Sequence, residues 1–172
     1  MALILSGDTG VPASGMPTGS VIQTVTTSKT NIFTSSTTQA WTDITGLSVT
    51  ITPISTTSKI LIVLNIGTAR SGDNGSLRLV RNSTPINIGD ANATYPNDTL
   101  ASLADLNATN SNGIPVSTSY LDSPATTSAI TYKIQFWINT TSIFINEGAS
   151  YTDNQPYRFL TASSITAMEI HG

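Results

Sequence analysis

The chain has 172 residues and a formal net charge of −3 at pH 7, with seven Lys and Arg, ten Asp and Glu, one His and no Cys. Serine and threonine together account for 51 residues. The residue types used in acid–base, covalent and metal chemistry are therefore scarce, and so few cations argue against a nucleic-acid partner.

Residues 1–19 read MALILSGDTGVPASGMPTG and open the chain with a short apolar run at Leu3, Ile4 and Leu5. Four glycines and two prolines follow in a polar setting, a composition typical of an extended segment. We predict an N-terminal arm over 1–19, with Leu3, Ile4 and Leu5 as candidate attachment residues, followed by one domain over 20–172. The start lacks signal-peptide features and no apolar run would span a bilayer, so we expect no membrane insertion.

Strand patterning begins at Ser20 and is clear in AWTDITGLSVTITP. There the apolar residues 47, 49 and 51 alternate with the hydroxyl residues 48, 50 and 52, which predicts a strand with one buried face. Gly46 within the run suggests a bulge, and Pro53 should end the strand because proline cannot donate to a sheet ladder.

KILIVLNIG, residues 59–67, is apolar on both faces and predicts a central strand. RSGDNG after it has tight-turn composition, so we expect SLRLVRN to be its hairpin partner and TPINIG to form another short strand. Asp73-Asn74-Gly75 and Asp8-Thr9-Gly10 resemble fragments of calcium loops but lack the following acidic ligands, so turns are the better interpretation.

Residues 90–119 contain few apolar positions and predict a long loop, a feature that is usually functional in a compact domain. We expect this loop to be an exposed interaction surface. Its candidate residues are Tyr95, Asn97, Asp98, Asn110 and Asn112.

The clearest strand pattern is SAITYKIQFWIN, followed by SIFINEG as an expected hairpin partner and by SSITAMEIHG. We count eight to ten strands and no definite helix, spaced as in a sandwich or barrel. The sequence therefore predicts an all-β fold, an antiparallel, jelly-roll-like β-sandwich.

Three sets of residues have alternative interpretations. His171 is the single imidazole and we interpret it as structural, and we expect Glu147 and Glu169 to be solvated strand ends rather than a glycosidase pair. The aromatic residues could form a sugar platform; we expect Trp137 and Tyr132 in the core, whereas Tyr95 and Tyr151 lie in loop contexts.

The phrases MPTGSVIQTV, WTDITGLSVTITPISTTSKILIVLNIG, LRLVRNSTPINIGD, SYLDSPATTSAITYKIQFWIN and SSITAMEIHG follow one another along residues 16–172. Together they resemble a module of structural proteins in tailed bacteriophages, especially marine phages and cyanophages. This resemblance implies a β-sandwich of a tail fibre or related virion appendage, assembly as a homotrimer and contact with other virion proteins. It transfers no catalytic motif.

The leading hypothesis is therefore a virion protein of the tail-fibre type that is not an enzyme and binds no cofactor. A host-surface glycan or receptor is a further candidate partner. A capsid decoration or cement protein is the alternative within virion proteins. A carbohydrate-binding module and a polysaccharide depolymerase are the alternatives from other classes.

Overall fold

The computed structural model describes residue 12 and residues 15–71, 75–89, 104–105, 114–147 and 160–172. Within these ranges the chain forms eleven β-strands and no helix. The strands are β1 (Val21–Lys29), β2 (Phe33–Ser35), β3 (Thr42–Ile51), β4 (Lys59–Ser71), β5 (Gly75–Arg81), β6 (Thr84–Ile86), β7 (Ala104–Asp105), β8 (Ile114–Asp122), β9 (Ile130–Ile138), β10 (Ile143–Ile145) and β11 (Ser163–Ile170).

Two antiparallel sheets contain all of these strands. The first has the order β1-β11-β4-β10-β2, with β8 also paired to β4, and the second has the order β3-β9-β5-β6, with β7 also paired to β5. Four of the strand pairs are nested along the chain: β1 with β11, β3 with β9, β4 with β8, and β5 with the three-residue β6. Nested pairs distributed over two sheets give the jelly-roll sandwich that the sequence predicts.

A single core of apolar side chains lies between the sheets. Along β9, residues 130, 132, 134, 136 and 138 are buried and the intervening ones are half-buried, as expected for period-two alternation. Isoleucines 60, 62 and 66 and Leu64 of β4 face them from the first sheet. Each such side chain contributes about 1.5–3 kcal/mol on burial, so the alternation itself stabilises the sandwich.

A bulge of several residues interrupts β3 at Gly46, where the sequence predicts one. Asp43 pairs with Gln135 and Ser48 with Lys133, so four residues of β3, 44–47, oppose one residue of β9. Ile44 and Leu47 are buried at its two ends, whereas Thr45 and Gly46 are exposed. Gly46 has a φ of 83°, a conformation that glycine adopts without a steric penalty. We call residues 44–47 the β3 arc. Strand β3 ends at Ile51, two residues before Pro53.

The two expected hairpins are wrong. Strand β5 does not pair with β4 but crosses to the second sheet and pairs with β9, and β10 pairs with β4 and β2 rather than with β9. Alternation indicates which face of a strand is buried but not which strand lies beside it. Strand β4 is central, because β11 and β8 flank it, yet only one face is fully buried.

Two further expectations change in detail. The strand count exceeds eight to ten because β2 and β7, with three and two residues, are too short for a visible pattern, whereas the equally short β6 and β10 lie in the predicted strands TPINIG and SIFINEG. The predicted C-terminal boundary of the loop over 90–119 is also wrong, because residues 114–119 belong to β8, which begins at Ile114. Residues 90–103 and 106–113, and most of the predicted arm over 1–19, lie outside the described residues.

Candidate functional site

The outer face of the first sheet carries hydroxyl and apolar side chains. Three successive cross-strand rows run over β1, β11, β4 and β8, and their twelve positions contain no charged side chain. Lys59 lies in the next row, at the end of β4. We call this surface the hydroxyl face, composed of Thr24, Thr26, Ser28, Ser164, Thr166, Met168, Leu61, Val63, Asn65, Ser117, Ser119 and Leu121.

An apolar row crosses the hydroxyl face. Met168, Leu61 and Leu121 lie side by side on β11, β4 and β8, and Leu121 is 47% exposed. In the next row the hydroxyls of Thr26 and Thr166 lie 3.0 Å apart and form a cross-strand hydrogen bond. The surface is therefore uncharged and partly apolar, which suits burial against another protein more than it suits isolated solvation.

The outer face of the second sheet is different and carries linked charged groups. Asp43 of β3 accepts hydrogen bonds from Lys133 Nζ and Gln135 Nε2 of β9, both at 2.7 Å. Gln135 Oε1 in turn accepts from Arg78 Nε at 2.9 Å and from Arg78 Nη2 at 2.7 Å. We call the surface formed by Asp43, Ser48, Thr131, Lys133, Gln135, Arg78 and Trp41 the polar face.

The polar face carries one carboxylate, Asp43, beside two cations, Lys133 and Arg78. Burial by itself raises the pKa of Asp43, but the hydrogen bonds from Lys133 and Gln135 and the positive charges of Lys133 and Arg78 outweigh it, so the pKa is held below its usual value. Asp43 is therefore ionised at neutral pH. The Arg78 guanidinium also stacks on Trp41, with its central carbon 4.1 Å from the ring centroid.

A concavity of about 390 Å³ opens on the polar face beside the β3 arc. It lies where the four residues of the arc oppose a single residue of β9, between the pairs Asp43–Gln135 and Ser48–Lys133. Its lining residues are Asp43, Ile44, Thr45, Gly46, Ser48, Thr131 and Lys133. Five of these seven residues carry a hydroxyl or a charged group, and the threonine methyl groups and the Lys133 methylenes add apolar surface beside them.

Inside the sandwich, polar groups join the two sheets. Asp122 of β8 accepts from Arg81 Nη1 of β5 at 2.9 Å to each carboxylate oxygen and from the Tyr132 hydroxyl of β9 at 2.7 Å. Burial, together with the hydrogen bond and charge of Asp122, raises the pKa of Tyr132.

Tyr132 lies in the core as predicted. Trp137 is half-buried on the outer face of the second sheet, so the prediction that it lies in the core is wrong.

Both glutamates are buried, and their interpretation as solvated strand ends is wrong. Glu169 is fully buried and Glu147 is 5% exposed. Glu169 accepts hydrogen bonds from the Gln23 side chain and, at 2.8 Å, from the backbone amide of Ile54. Burial tends to raise the pKa of Glu169, but the hydrogen bonds it accepts outweigh that effect and lower it. The Glu169 carboxylate thus links β11 by hydrogen bonds to Gln23 of β1 and to the segment after β3.

A buried amide fixes one corner of the first sheet. Asn146, at a φ of 64°, donates from Nδ2 to the carbonyls of Lys29 and Asn31, at 2.8 and 3.2 Å, and accepts from the Ser163 hydroxyl. Lys29 is 4% exposed and its Nζ donates to Asn31 Oδ1 at 2.9 Å, while burial lowers its pKa. No sequence signal marks this corner, because Asn146 lies more than a hundred residues from Lys29 and Asn31 along the chain.

The predicted attachment residues Leu3, Ile4 and Leu5 lie outside the described residues, as do the loop candidates Tyr95, Asn97, Asp98, Asn110 and Asn112. Tyr151 also lies outside them. The structure instead brings Asp43 of β3 together with Lys133 and Gln135 of β9, of which the alternation of β9 places only the last two on one face. The signal available for them was the run of polar residues opposite the buried isoleucines.

Among the described residues, no group of three or more His, Asp and Glu side chains is close enough to hold a metal ion. His171 joins Ser20 through its backbone amide, which extends the pairing of β1 with β11. Within the ranges that the structure describes, no helix is long and apolar enough to cross a membrane.

No protein-family model matches the chain, and no curated protein matches it. Among solved structures, the chain is similar to the VP2 subviral particle of infectious bursal disease virus, at 14% identity and a TM-score of 0.40, over 100% of this chain and 37% of that one. It is also similar to a structure of the Gx strain of that virus, at 15% identity and a TM-score of 0.38, over 100% and 38%. The chain thus spans less than two fifths of those proteins. The description of the fold given above is based on the pairing of its own strands and not on this similarity.

Proposed function

We propose that this chain is a bacteriophage virion structural protein of the tail-fibre type, which assembles as a homotrimer through its hydroxyl face. The observation that carries the proposal is the absence of charge over three cross-strand rows of that face. Core regions of protein interfaces are depleted in charged residues, and an uncharged sheet face meets a second uncharged face without an unpaired ion.

Two other observations support this role. The phrases from MPTGSVIQ to ITAMEI resemble phage appendage modules, and the jelly roll is an architecture found in viral capsid domains and lectins. A fold does not define a function, so the architecture supports the proposal only together with the surface that it presents. The proposed role is binding and assembly rather than catalysis. The buried carboxylate of Glu169 fits this role, because it accepts hydrogen bonds from groups of its own chain.

Localisation in the virion tests the proposal directly. Gold-labelled antibody against this chain should decorate the tail of purified particles, and mass spectrometry of those particles should detect it. Label confined to the head would support a capsid decoration protein instead. Absence of the chain from purified particles would contradict a virion role of either kind.

Leu121→Asp tests the hydroxyl face as the assembly surface. Leu121 is 47% exposed, so the variant should fold, but the new carboxylate would be buried without a partner in an assembled trimer. Light scattering at micromolar concentration should give a trimer for the wild type and a monomer for the variant. Thr127→Asp adds the same charge at an exposed site between β8 and β9 and should remain trimeric. A monomeric wild type, or a trimeric Leu121→Asp, would contradict this surface.

A further inference from the structure

The concavity beside the β3 arc has the size of a small-molecule site. Its volume of about 390 Å³ lies within the range of about 300–1,000 Å³ that is usual for such sites. The arc is held at both ends by the buried side chains of Ile44 and Leu47, so the wall it forms is anchored in the core. The cavity is thus a built feature of the sandwich rather than a gap between side chains.

The lining selects a ligand by its hydrogen-bonding groups. Thr45, Ser48 and Thr131 each present a hydroxyl, which both donates and accepts hydrogen bonds, and the Thr131 hydroxyl lies 2.8 Å from that of Thr50. Ile44, the large apolar residue of the lining, is 2% exposed, so it offers little apolar contact. An apolar ligand would take the hydroxyls of Thr45 and Ser48 out of water without offering them a hydrogen bond, at a cost in free energy.

The charges of the lining cancel. Asp43 Oδ2 lies 2.7 Å from Lys133 Nζ, and Asp43 Oδ1 accepts from Gln135, so each carboxylate oxygen already has a partner in the chain. An anionic ligand would have to compete with Asp43 for Lys133, and a cationic ligand would have to compete with Lys133 for Asp43. A neutral ligand with many hydroxyls meets neither obstacle, and its groups match the alternation of donors and acceptors in the lining.

We propose that this concavity binds a neutral saccharide, with Thr45, Ser48 and Thr131 hydrogen-bonded to its hydroxyls and the Asp43–Lys133 pair as a fixed acceptor and donor. The inference does not depend on the virion role proposed above. It assigns the polar face to ligand recognition and leaves the hydroxyl face to assembly.

Amide-resolved NMR titration of the full chain tests the site. The probes are glucose, mannose and galactose, the neutral trisaccharides maltotriose and mannotriose, and trigalacturonate as an anionic comparison. A neutral sugar at millimolar concentration should shift the amides of residues 45, 46, 48, 131 and 133. A trisaccharide that binds more tightly than its monosaccharide identifies a chain segment as the ligand, whereas equal affinities identify a single sugar ring; both results support the proposal.

Thr45→Val with Ser48→Val removes two hydroxyls from the lining and places β-branched residues at exposed strand positions, so the variant should fold. Loss of two hydrogen bonds should weaken binding at least about tenfold. The matched control, Thr34→Val with Thr127→Val, alters two exposed threonines outside both the concavity and the hydroxyl face and should bind as the wild type does. The proposal is overturned if no neutral sugar shifts these amides, if trigalacturonate binds there more tightly, or if the lining variant retains wild-type affinity.

Discussion

Substitution of Asp122 by alanine tests the polar tie between the two sheets. The Asp122 side chain is 6% exposed and its partner Arg81 is 29% exposed. Breaking a buried ion pair by removing one partner costs about 3–5 kcal/mol, and the partial exposure of Arg81 sets the expected cost near 3 kcal/mol. In a chain of this size that loss lowers the Tm by roughly 6–12 °C.

The contribution of Tyr132 can be separated in a double-mutant cycle. Tyr132→Phe removes a hydrogen bond to a charged acceptor, so it should cost about 1.5–3 kcal/mol on its own and little once Asp122 is absent. The two substitutions should therefore couple by nearly the full cost of Tyr132→Phe, about 1.5–3 kcal/mol. Urea unfolding at a fixed protein concentration, followed by fluorescence, measures all four free energies of unfolding.

Asp43→Ala is the matched control, because Asp43 also pairs with a cation but has a side chain that is 49% exposed. Exposed ion pairs contribute about 0–1 kcal/mol, so this variant should lose less than about 1 kcal/mol. An Asp122→Ala variant as stable as Asp43→Ala, or a cycle with no coupling between Asp122 and Tyr132, would refute the reasoning.

Two further predictions concern pH and backbone conformation. Glu169→Gln should cost about 1.5–3 kcal/mol at pH 7, because Glu169 accepts charge-assisted hydrogen bonds while buried. The folded pKa of Glu169 lies below its ordinary value of 4.5, so this stabilisation is present above pH 4.5 and is lost as pH falls through the folded pKa. Urea midpoints from pH 7 to about 3 should therefore converge for the two proteins; a constant difference would contradict the assignment. Gly46→Ala should cost about 1–2 kcal/mol, because the φ of 83° is unfavourable for alanine although space exists for its methyl group. Gly89→Ala, at an open position without a positive φ, should change stability by less than about 0.5 kcal/mol, and equal effects of the two would exclude the conformational explanation.

Alternation along single strands could be predicted from sequence because it depends on neighbouring residues alone. The buried positions 47, 49 and 51 of β3 and 130–138 of β9 follow directly from period two. The same pattern placed Trp137 opposite the isoleucines of β9, on the outer face where the structure has it. The expectation that it would be a core residue came from its size, and the alternation was the better guide.

Strand partners could not be predicted, because pairing in a jelly roll joins residues far apart in the chain. RSGDNG has turn composition, yet β4 before it and β5 after it lie in different sheets and do not form a hairpin. The burial of Glu169 has the same origin, since its partners Gln23 and Ile54 are separated from it by 146 and 115 residues. The candidate sites likewise arise from three or four strands that no local pattern brings together.

The β3 arc has a consequence for how this protein can vary. Because Ile44 and Leu47 anchor its two ends, residues can be added or removed at Thr45 and Gly46 without changing which side chains of β3 enter the core. Elsewhere in a paired strand, insertion of a single residue turns every following side chain to the opposite face. The wall of the concavity can thus change length and chemistry while the sandwich remains the same, so recognition can diversify independently of folding.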